Sequence, residues 1–392
     1  MRILQAANFV APHSGGIKTM LTHLAGGYAE AGHEVVMLVP GPENATVAEP
    51  YGRRIEIAAP EMPLTGGYRV ITRWNAVEDV LAAVAPDRVE VSDRFTLARI
   101  GPWARDRGVG SVVFSHERID ALLRFHLGRA VPTRRLADRL NRRLASSFDS
   151  VVCTTSWAAG EFVRIGARNL VQVPLGIDLD AFHPSRRDPV VRDELARGAD
   201  VVIVAAVRLS PEKRPDLLIP MVDELLRREV NARLVVCGDG SVRDLVDEQA
   251  QGRPVTMAGF VSDRDRLATI LASADVVVAP GPYETFGLAA LEALASGTPV
   301  VASSSGALPE LIRDGAGRTA PADPARMAEA VIGVIREGGA ARAAARIRAE
   351  QFSWSSTVAE MLRIHGRESL SRGDTRSSRF TSSGRIGYKS AT

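Results

Sequence analysis

Residues 276–300 have the sequence VVVAPGPYETFGLAALEALASGTPV. The apolar run at its start predicts a buried strand, and the Gly-Pro turn that follows ends that strand. Apolar residues at helical spacing then indicate a helix that starts near Phe286, and Gly297-Thr-Pro299 stops it before another strand. The stretch therefore predicts a strand–helix–strand unit of a parallel sheet, with a loop at the carboxyl end of its first strand.

Short apolar runs alternate with helical segments along most of the 392 residues. The first series of predicted strands is 3–7, 34–39, 88–91, 111–115, 150–153 and 170–173, and the second is 201–207, 234–237, 255–258, 276–279 and 300–302. Two such series predict an α/β protein with two doubly wound domains, whose ligand sites lie beyond the carboxyl ends of the strands.

The expected boundaries follow from where this alternation stops. Residues 1–173 form the first domain and residues 201–352 the second. The segment 174–200 is rich in proline and charge and lacks periodicity, so we expect a linker. Residues 353–367 are expected to form a helix that packs back toward the first domain. Residues 368–392 are rich in Ser, Gly and Arg, which predicts a disordered tail.

Composition excludes several classes of protein. The chain is 45% hydrophobic and carries a net charge of +3, which is typical of a soluble globular protein. It has no long uncharged apolar stretch and no secretory signal, so we expect a cytoplasmic location without a spanning helix. Cys153 and Cys237 each end an apolar run, which favours two buried thiols over a disulfide.

The two glutamates of the opening stretch, Glu284 and Glu292, are candidate ligand contacts. Glu284 precedes a helix whose first backbone N–H groups, at Phe286, Gly287 and Leu288, lack helical partners and face the cleft. Carboxylates there can accept hydrogen bonds from vicinal hydroxyls, so we assign Glu284 to a sugar hydroxyl and Glu292 to a ribose. The alternative is a pair of surface glutamates on an amphipathic helix.

Two cations follow the strand 201–207. Arg208 and Lys213 are suited to a diphosphate leaving group, although two solvated surface cations would have the same spacing. In the first domain, Gly15 and Gly16 follow the first strand and allow close backbone approach to a phosphate. An ordinary turn explains those two glycines equally well.

The ordered set of these motifs resembles glycosyltransferase family 4, whose members are retaining enzymes with the GT-B fold. The resemblance rests on Glu284 and Glu292 with Ala-Ser-Gly-Thr-Pro-Val-Val after them, and on further motifs along nearly the whole chain. Those motifs are Ser14-Gly15-Gly16, Ser115-His116-Glu117, Val173-Pro-Leu-Gly-Ile-Asp178, Arg208 with Lys213, Gly238-Asp-Gly240 and Gly259-Phe260-Val261. The resemblance implies two Rossmann-like domains that face each other across a cleft, with Arg208 and Lys213 on the nucleotide diphosphate.

His116 follows the predicted strand 111–115 at its carboxyl end. A lone histidine at such a position is structural or solvated as often as it is functional. The resemblance, however, places His116 against the donor sugar. We therefore predict a catalytic set of His116, Arg208, Lys213 and Glu284. The family's mechanism is described as same-face displacement assisted by the leaving phosphate, and no carboxylate nucleophile is assigned here. Asp93, at another strand end, is an acceptor-side candidate.

The pair Asp263-Arg-Asp265 matches the pattern that metal-dependent sugar transferases use. Its position after Gly259-Phe-Val-Ser predicts the start of a helix instead. Because Arg208 and Lys213 already neutralise a diphosphate, we assign no metal site and no cofactor.

A segment rich in arginine, residues 118–147, contains eight arginines and two aspartates. Within it, Leu136, Leu140, Leu144 and Phe148 are predicted to share one arc of a helix. The other arc would present Arg134, Arg135, Arg139, Arg142 and Arg143. A solvated basic face is one explanation, and a helix against an anionic membrane surface is the other. Nucleic acid is disfavoured, because no zinc knuckle or RNP-like motif accompanies the charge.

One branch of the family shares further segments, including Gly66-Gly-Tyr-Arg69, Val91-Ser-Asp-Arg94 and Val151-Val-Cys-Thr-Thr155. That branch comprises the GDP-mannose-dependent phosphatidylinositol dimannoside mannosyltransferases. The resemblance implies α-mannosyl transfer from GDP-mannose to a lipid-linked mannoside, at the inner face of the cell membrane. Another nucleotide-sugar donor or a soluble acceptor, a nucleotide-sugar 2-epimerase and a non-catalytic nucleotide-sugar binding protein stay open as alternatives.

Overall fold

A computed structural model describes residues 1–10, 15–62, 67–127 and 132–367 of the chain. The predicted disordered tail, residues 368–392, lies outside the described residues, as do Ser14 and Gly66 of the sequence motifs.

The first sheet contains eight strands in the order β3-β4-β2-β1-β5-β6-β7-β8. They are β1 (Arg2–Ala6), β2 (Glu34–Gly41), β3 (Ala45–Glu49), β4 (Gly52–Ala58), β5 (Arg88–Val91), β6 (Gly110–Phe114), β7 (Ser150–Cys153) and β8 (Leu170–Gln172). All neighbours are parallel except β3 and β4, which form an antiparallel hairpin at one edge.

The second sheet contains six parallel strands in the order β11-β10-β9-β12-β13-β14. They are β9 (Val201–Ala206), β10 (Ala232–Cys237), β11 (Val255–Gly259), β12 (Val276–Ala279), β13 (Val300–Ser303) and β14 (Gly317–Ala320). Apart from the edge hairpin of the first sheet, both sheets are parallel and doubly wound, which confirms the predicted fold class.

Helices cover the sheets as they do in other parallel α/β proteins. They are α1 (Gly16–Glu30), α2 (Trp74–Val84), α3 (Ile100–Asp106), α4 (Ile119–Leu127), α5 (Thr133–Ser147), α6 (Ser156–Arg164), α7 (Pro189–Ala196), α8 (Leu218–Arg227), α9 (Arg243–Ala250), α10 (Arg264–Ser273), α11 (Leu288–Ala295), α12 (Leu308–Leu311), α13 (Pro324–Glu337), α14 (Gly339–Ala349) and α15 (Trp354–His365). None of these described helices has the length and apolarity that a membrane span requires.

Strand order reverses once in each sheet, between β1 and β5 in the first and between β9 and β12 in the second. The loops at such a reversal diverge to opposite faces and leave a crevice at the carboxyl ends of the two strands. The segments after β1, β5, β9 and β12 contain Gly15, Asp93, Arg208 and Glu284 respectively. The fold therefore brings the main sequence candidates to two reversal points.

Three predictions of the elements were wrong in detail. The edge hairpin of β3 and β4 was missed, because its half-buried strands carry charges such as Arg53 and Glu56 and have no apolar run. The helix of the opening stretch starts at Leu288 and not near Phe286, because Gly287 precedes it in a left-handed conformation. The segment 174–200 contains helix α7, whose first turn is capped by the Asp188 carboxylate.

The C-terminal helix α15 lies against α1 of the first domain. Contact is close at Gly27, where an added Cβ would lie 2.4 Å from a methyl carbon of Val358. The rings of His23 and Trp354 stack with their centroids 4.5 Å apart. One continuous apolar core accordingly contains residues of both domains and of α15, such as Leu24, Leu291 and Ile364.

Candidate active site

The segment after β9 carries the two predicted diphosphate-binding cations. Arg208 is exposed, and its Nη1 donates to the Tyr68 hydroxyl of the first domain at 3.4 Å. Lys213 ends a short 3-10 turn, and its side chain is 19% exposed. Arg208 and Lys213 therefore lie beside the reversal point of the second sheet, and Arg208 also contacts the first domain.

Glu284 lies in the loop after β12 and forms an ion pair with Lys213, with 2.5 Å between Oε1 and Nζ. The loop is fixed from the other side by the Ala307 N–H, which donates to the Glu284 carbonyl oxygen at 2.9 Å. Gly281 allows the close approach, since a Cβ added there would lie 3.2 Å from the Lys213 Cα. The structure thus joins two residues that sequence analysis assigned to different parts of the donor.

The N-terminus of α11 has no capping side chain. Its first residues include Gly287, at a φ of 94°, where an added Cβ would clash with Leu308 at 2.3 Å. Across the cleft, Gly16 lies close to Leu288, with 3.6 Å between its ideal Cβ and Leu288 Cδ1. The uncapped start of α11 therefore lies close to Gly16, and N–H groups at the start of a helix can bind an anion. The Phe286 side chain is buried in the core, so only its backbone is available to a ligand.

Glu292 lies one helical turn past the start of α11, and its side chain is 13% exposed. Burial raises its pKa from the ordinary range to about 7, while the nearby Arg264 guanidinium opposes the shift. The Arg264 Nη2 is 3.6 Å from the Glu292 Oε1. A buried carboxyl with weak compensation is suited to accepting hydrogen bonds from a ligand.

Gly259 and Phe260 lie at the end of β11, two strands away from β9. Gly259 has a φ of 71°, and its carbonyl oxygen accepts a hydrogen bond from the Gly238 N–H at 2.8 Å. The Phe260 side chain is 48% exposed. The two residues therefore lie at the same carboxyl edge of the sheet as Arg208.

His116 follows β6 in the first domain, and its ring stacks on Phe114 with centroids 5.6 Å apart. Its Nε2 is buried and has no hydrogen-bond partner among the described residues. Burial, assisted by the Arg94 charge, lowers the pKa of His116 to about 4. The imidazole is therefore neutral at physiological pH and has an unused ring nitrogen.

Arg94 is a residue that sequence analysis did not assign to any role. Its side chain is 5% exposed and donates to the Glu117 carbonyl oxygen at 2.8 Å and to the Glu161 Oε1 at 3.2 Å. It also donates to the Asn141 side-chain oxygen. Arg94 thus fixes the loop that carries His116, and its place in the segment Val91-Ser-Asp-Arg94 was the signal in the sequence.

Contacts across the cleft fix the Glu284 loop to the first domain. The Thr155 hydroxyl donates to the Thr285 carbonyl oxygen at 2.8 Å, and the Thr154 hydroxyl does so at 3.2 Å. Glu310 on α12 accepts hydrogen bonds from the Ser156 and Trp157 N–H groups at 2.9 and 2.6 Å. A glutamate of the second domain therefore caps α6 of the first, which sequence analysis missed.

Asp263 begins α10 as predicted, because its Oδ1 accepts hydrogen bonds from the Asp265 and Arg266 N–H groups. Within the described ranges, no three His, Cys, Asp or Glu side chains are arranged to hold a metal ion. Metal independence nevertheless stays a prediction. Cys153 and Cys237 are free, buried thiols, as expected.

Two family descriptions match the chain. Residues 14–181 match "Glycosyltransferase Family 4", and residues 200–337 match "Glycosyl transferases group 1". A protein of Mycobacterium tuberculosis, named GDP-mannose-dependent alpha-(1-6)-phosphatidylinositol dimannoside mannosyltransferase, is 45% identical over 382 residues. That alignment covers 96% of this chain and 99% of the relative.

Solved structures of more distant proteins share the architecture. Sucrose-phosphate synthase from Thermosynechococcus elongatus superposes with a TM-score of 0.77 at 20% identity, over 93% of this chain and 98% of its own. HepE of Anabaena, solved with UDP-glucose, gives 0.71 at 20% identity, over 93% and 99% of the two chains. The parallel sheets, the facing reversal points and these matches agree: the chain has the GT-B fold and belongs to glycosyltransferase family 4.

Proposed function

We propose that this chain transfers an α-mannosyl residue from GDP-mannose to a phosphatidylinositol mannoside or a related lipid-linked glycan, with retention of anomeric configuration. The choice of donor and acceptor is supported by the Mycobacterium tuberculosis relative, which is similar along almost its whole length. One observation favours transfer chemistry in particular. Lys213 and Glu284 meet at the reversal point of the second sheet, opposite Gly16 of the first domain.

The proposed reaction breaks the bond between the anomeric carbon and the β-phosphate oxygen of the donor. The acceptor hydroxyl forms a new bond to that carbon on the same face, and its proton goes to the leaving phosphate. Arg208, Lys213 and the uncapped amides of α11 would stabilise the charge that builds on the phosphate. Lys213 contacts Glu284, so a diphosphate that binds the ammonium would leave this carboxylate available to a sugar hydroxyl.

One transfer assay with purified protein tests both the choice of donor and the choice of acceptor. We expect labelled mannose to pass from GDP-mannose to phosphatidylinositol dimannoside, and no label to pass from UDP-glucose. Transfer from the uridine donor alone would reject the mannose assignment. Turnover of the donor sugar into an epimer would favour an epimerase, and tight GDP-mannose binding without turnover would favour a binding protein.

Metal independence has a separate test. In the proposed mechanism Arg208 and Lys213 neutralise the negative charge of the leaving diphosphate. Transfer should therefore persist in EDTA at the rate measured with added Mg²⁺ or Mn²⁺. A rate that collapses in EDTA and returns with one cation would reject the assignment.

We further propose that α5 places the enzyme at the inner face of the cell membrane, where a lipid-linked acceptor would be found. Its exposed side carries Arg134, Arg135, Arg139, Arg142 and Arg143. The predicted separation of leucines from arginines was wrong: Leu136 and Leu140 are 45% and 41% exposed on that same side. Helix α5 instead buries Ala137, Asn141 and Leu144. A surface with both arginines and leucines suits an anionic bilayer better than a purely basic one.

Vesicle binding tests this surface. Reversing the charge of Arg135, Arg139 and Arg142 to glutamate should weaken partition onto anionic vesicles by about 100-fold or more, at about 1 kcal/mol for each arginine. Turnover of a water-soluble acceptor should be unaffected. Reversal of three exposed arginines elsewhere, Arg227 on α8 with Arg326 and Arg336 on α13, is the matched control. Vesicle binding that survives the α5 reversals would show that this side is only solvated.

A further inference from the structure

Two helices of the first domain begin on a glutamate that belongs to another helix. Glu310 on α12 of the second domain accepts hydrogen bonds from the first two N–H groups of α6. Glu161 on α6 does the same for Ile119 and Asp120, the first two residues of α4, at 3.2 Å each. The first N–H groups of a helix have no partner within it, and a carboxylate pairs with them and with the positive end of the helix dipole. The two caps therefore join α12, α6 and α4 one after another.

This path of helices starts and ends at loops that carry candidate catalytic residues. In the second domain, the Ala307 N–H donates to the Glu284 carbonyl oxygen directly before α12 begins. In the first domain, residues 115–118 form the His116 loop, and α4 begins directly after it. The two caps therefore connect the Glu284 loop on one side of the cleft with the His116 loop on the other.

Glu161 is the central residue of this path, and it is fully buried. Its Oε1 accepts hydrogen bonds from the Ile119 N–H and from the Nη1 of Arg94, both at 3.2 Å. The same Arg94 nitrogen donates to the Glu117 carbonyl oxygen at 2.8 Å. The His116 loop is therefore held at residue 117 through Arg94 and at residues 119 and 120 through Glu161.

The chemistry of this ion pair favours a role in positioning. A buried pair such as Glu161 and Arg94 contributes little net stability, because the cost of removing two charges from water offsets their attraction. Apolar side chains of similar volume would pack α6 against α4 equally well. Hydrogen bonds, in contrast, depend on angle and distance, so a carboxylate that accepts from a loop and from a helix start fixes where both lie.

Helix α6 is held at its other end as well. The Thr155 hydroxyl accepts from an α6 N–H at 3.1 Å and donates to the Thr285 carbonyl oxygen, next to Glu284, at 2.8 Å. Glu161 lies five residues beyond the start of α6, which is about 7 Å along the axis at 1.5 Å per residue. A helix of this length moves as one piece, so a displacement of the Glu284 loop is passed to the His116 loop through Glu161.

We propose that Glu161 is a positioning residue for His116, and that α6, between the Glu310 and Glu161 caps, fixes the His116 loop relative to the Glu284 loop of the other domain. The inference deepens the proposed function, since it takes His116 and Glu284 as contacts of the transferred sugar. Glu161 and Glu310 act through the helices whose N–H groups they bind.

The variant Glu161→Gln keeps the size of the side chain and removes its charge. An amide supplies one acceptor oxygen in place of two, so either α4 or Arg94 loses its partner. We expect kcat at saturating donor and acceptor to fall by about 10- to 100-fold, because a misplacement of about 1 Å at a reacting centre costs up to about 100-fold. The Kd for GDP should match the wild type, because the proposed diphosphate contacts, Arg208 and Lys213, belong to the second domain.

Glu90→Gln is the matched control, the same change at another fully buried glutamate of the first domain. Both variants should lower the Tm, since each leaves a buried polar partner without its carboxylate. Only Glu161→Gln should lower kcat. An equal loss of kcat in Glu90→Gln would overturn the proposal, because destabilisation alone would then explain the rate.

Histidine NMR gives a readout that does not depend on turnover. The ring resonances of His116, assigned by their absence in His116→Gln, should shift in Glu161→Gln. They should also shift in Glu310→Ala, although that residue belongs to the other domain, and they should stay unchanged in Glu329→Ala, at an exposed site on α13. If Glu161→Gln does not fold, the comparison of the two alanine variants decides the question.

The failures of the two proposals differ. If the wild type transfers no mannose and the His116 resonances nevertheless shift in Glu161→Gln and in Glu310→Ala, the proposed function fails and the positioning assignment stands. Wild-type kcat in Glu161→Gln would overturn the positioning assignment. It is overturned as well if the His116 resonances are the same in Glu310→Ala as in the wild type.

Discussion

Lys213 is one of three lysines in a chain with 49 lysine and arginine residues, and it sits at the centre of the candidate active site. A lysine ammonium is a compact charge that can swing between two partners, whereas the planar guanidinium of arginine fixes its contacts in one plane. The ammonium forms an ion pair with Glu284. A bound diphosphate would compete with this carboxylate for the same charge.

Replacing Lys213 by Ala should lower kcat by about 100-fold, because a charge on the leaving phosphate loses its partner. The free energy of unfolding should change by less than about 1 kcal/mol, since the pair is partly exposed and Glu284 can be solvated. Steady-state kinetics and urea unfolding measure the two effects. A variant with wild-type kcat would reject the phosphate role, and one that unfolds before it loses activity would indicate a structural role.

Glu292 predicts a pH dependence of stability. Its folded pKa of about 7 lies above its ordinary value, so the carboxyl is destabilised when ionised in its buried site. Its contribution to stability is therefore fully present below about pH 4.5 and is lost as pH rises to about 7, by up to about 3 kcal/mol. Glu292→Gln should be more stable than the wild type at pH 8 and similar to it at pH 4.5. Urea unfolding at both values measures the difference.

The same residue links pH to nucleotide binding. If a ribose hydroxyl donates to the ionised carboxylate, GDP should bind more tightly as pH rises through 7 and should release a proton. In Glu292→Gln the affinity for GDP should not change with pH. Calorimetry in two buffers of different ionisation enthalpy detects the proton, and equal proton release by the wild type and the variant would contradict the ribose assignment.

At the scale of elements, the sequence predicted the buried strands and the helix that follows Glu284. It could not predict which side of α5 is buried. The leucines at 136 and 140 have helical spacing with Leu144, yet the first domain accepts the smaller Ala137 and Asn141 in their place. Asn141 is buried because it accepts from Arg94, a partner 47 residues away. Long-range polar contacts of this kind leave no periodic pattern.

The cap of α6 by Glu310 is an element-scale contact with a measurable role. Glu310→Ala removes the acceptor of two N–H groups and should lower the free energy of unfolding by about 1 to 2 kcal/mol. It should also raise the KM for the donor, because α12 begins next to Ala307, which holds the Glu284 loop. Glu329→Ala, an exposed glutamate on α13, is the control. An unchanged KM would show that the cap serves stability alone.

At the scale of the whole molecule, two facing sheets with one reversal point each could be predicted, because alternation of strands and helices leaves few other solutions. The candidate residues were also placed correctly at strand ends. The sequence could not show which residues of the two domains contact each other. Thr155 contacts Thr285 and Glu310 contacts Trp157 across 130 and 153 residues of chain, through single hydrogen bonds. The local sequence pattern does not indicate that any of these four residues forms a contact between the domains.

The attachment of α15 to the first sheet is a further long-range contact. Glu90 is fully buried, and its Oε2 accepts from the Tyr28 hydroxyl at 2.9 Å and lies 3.1 Å from the His365 Nε2. Gln5 donates to the other oxygen at 3.1 Å. Burial and the Glu90 charge raise the pKa of Tyr28 well above its ordinary value, so the phenol keeps its proton and donates. A buried carboxylate thus connects β5, α1 and the last residue of α15.

His365→Ala should therefore destabilise the first domain, although position 365 belongs to the C-terminal helix. It removes one partner of a buried carboxylate and a ring packed edge-on against Tyr28, and we expect a loss of about 2 to 4 kcal/mol. Arg363→Ala, at an exposed site on the same helix, should cost much less. In a double-mutant cycle with Glu90→Gln, a coupling above about 1 kcal/mol would show that the pair acts as a unit. Additive effects would instead mean that α15 is held by apolar packing, at Gly27 and Val358, and that Glu90 depends on Tyr28 and Gln5 alone.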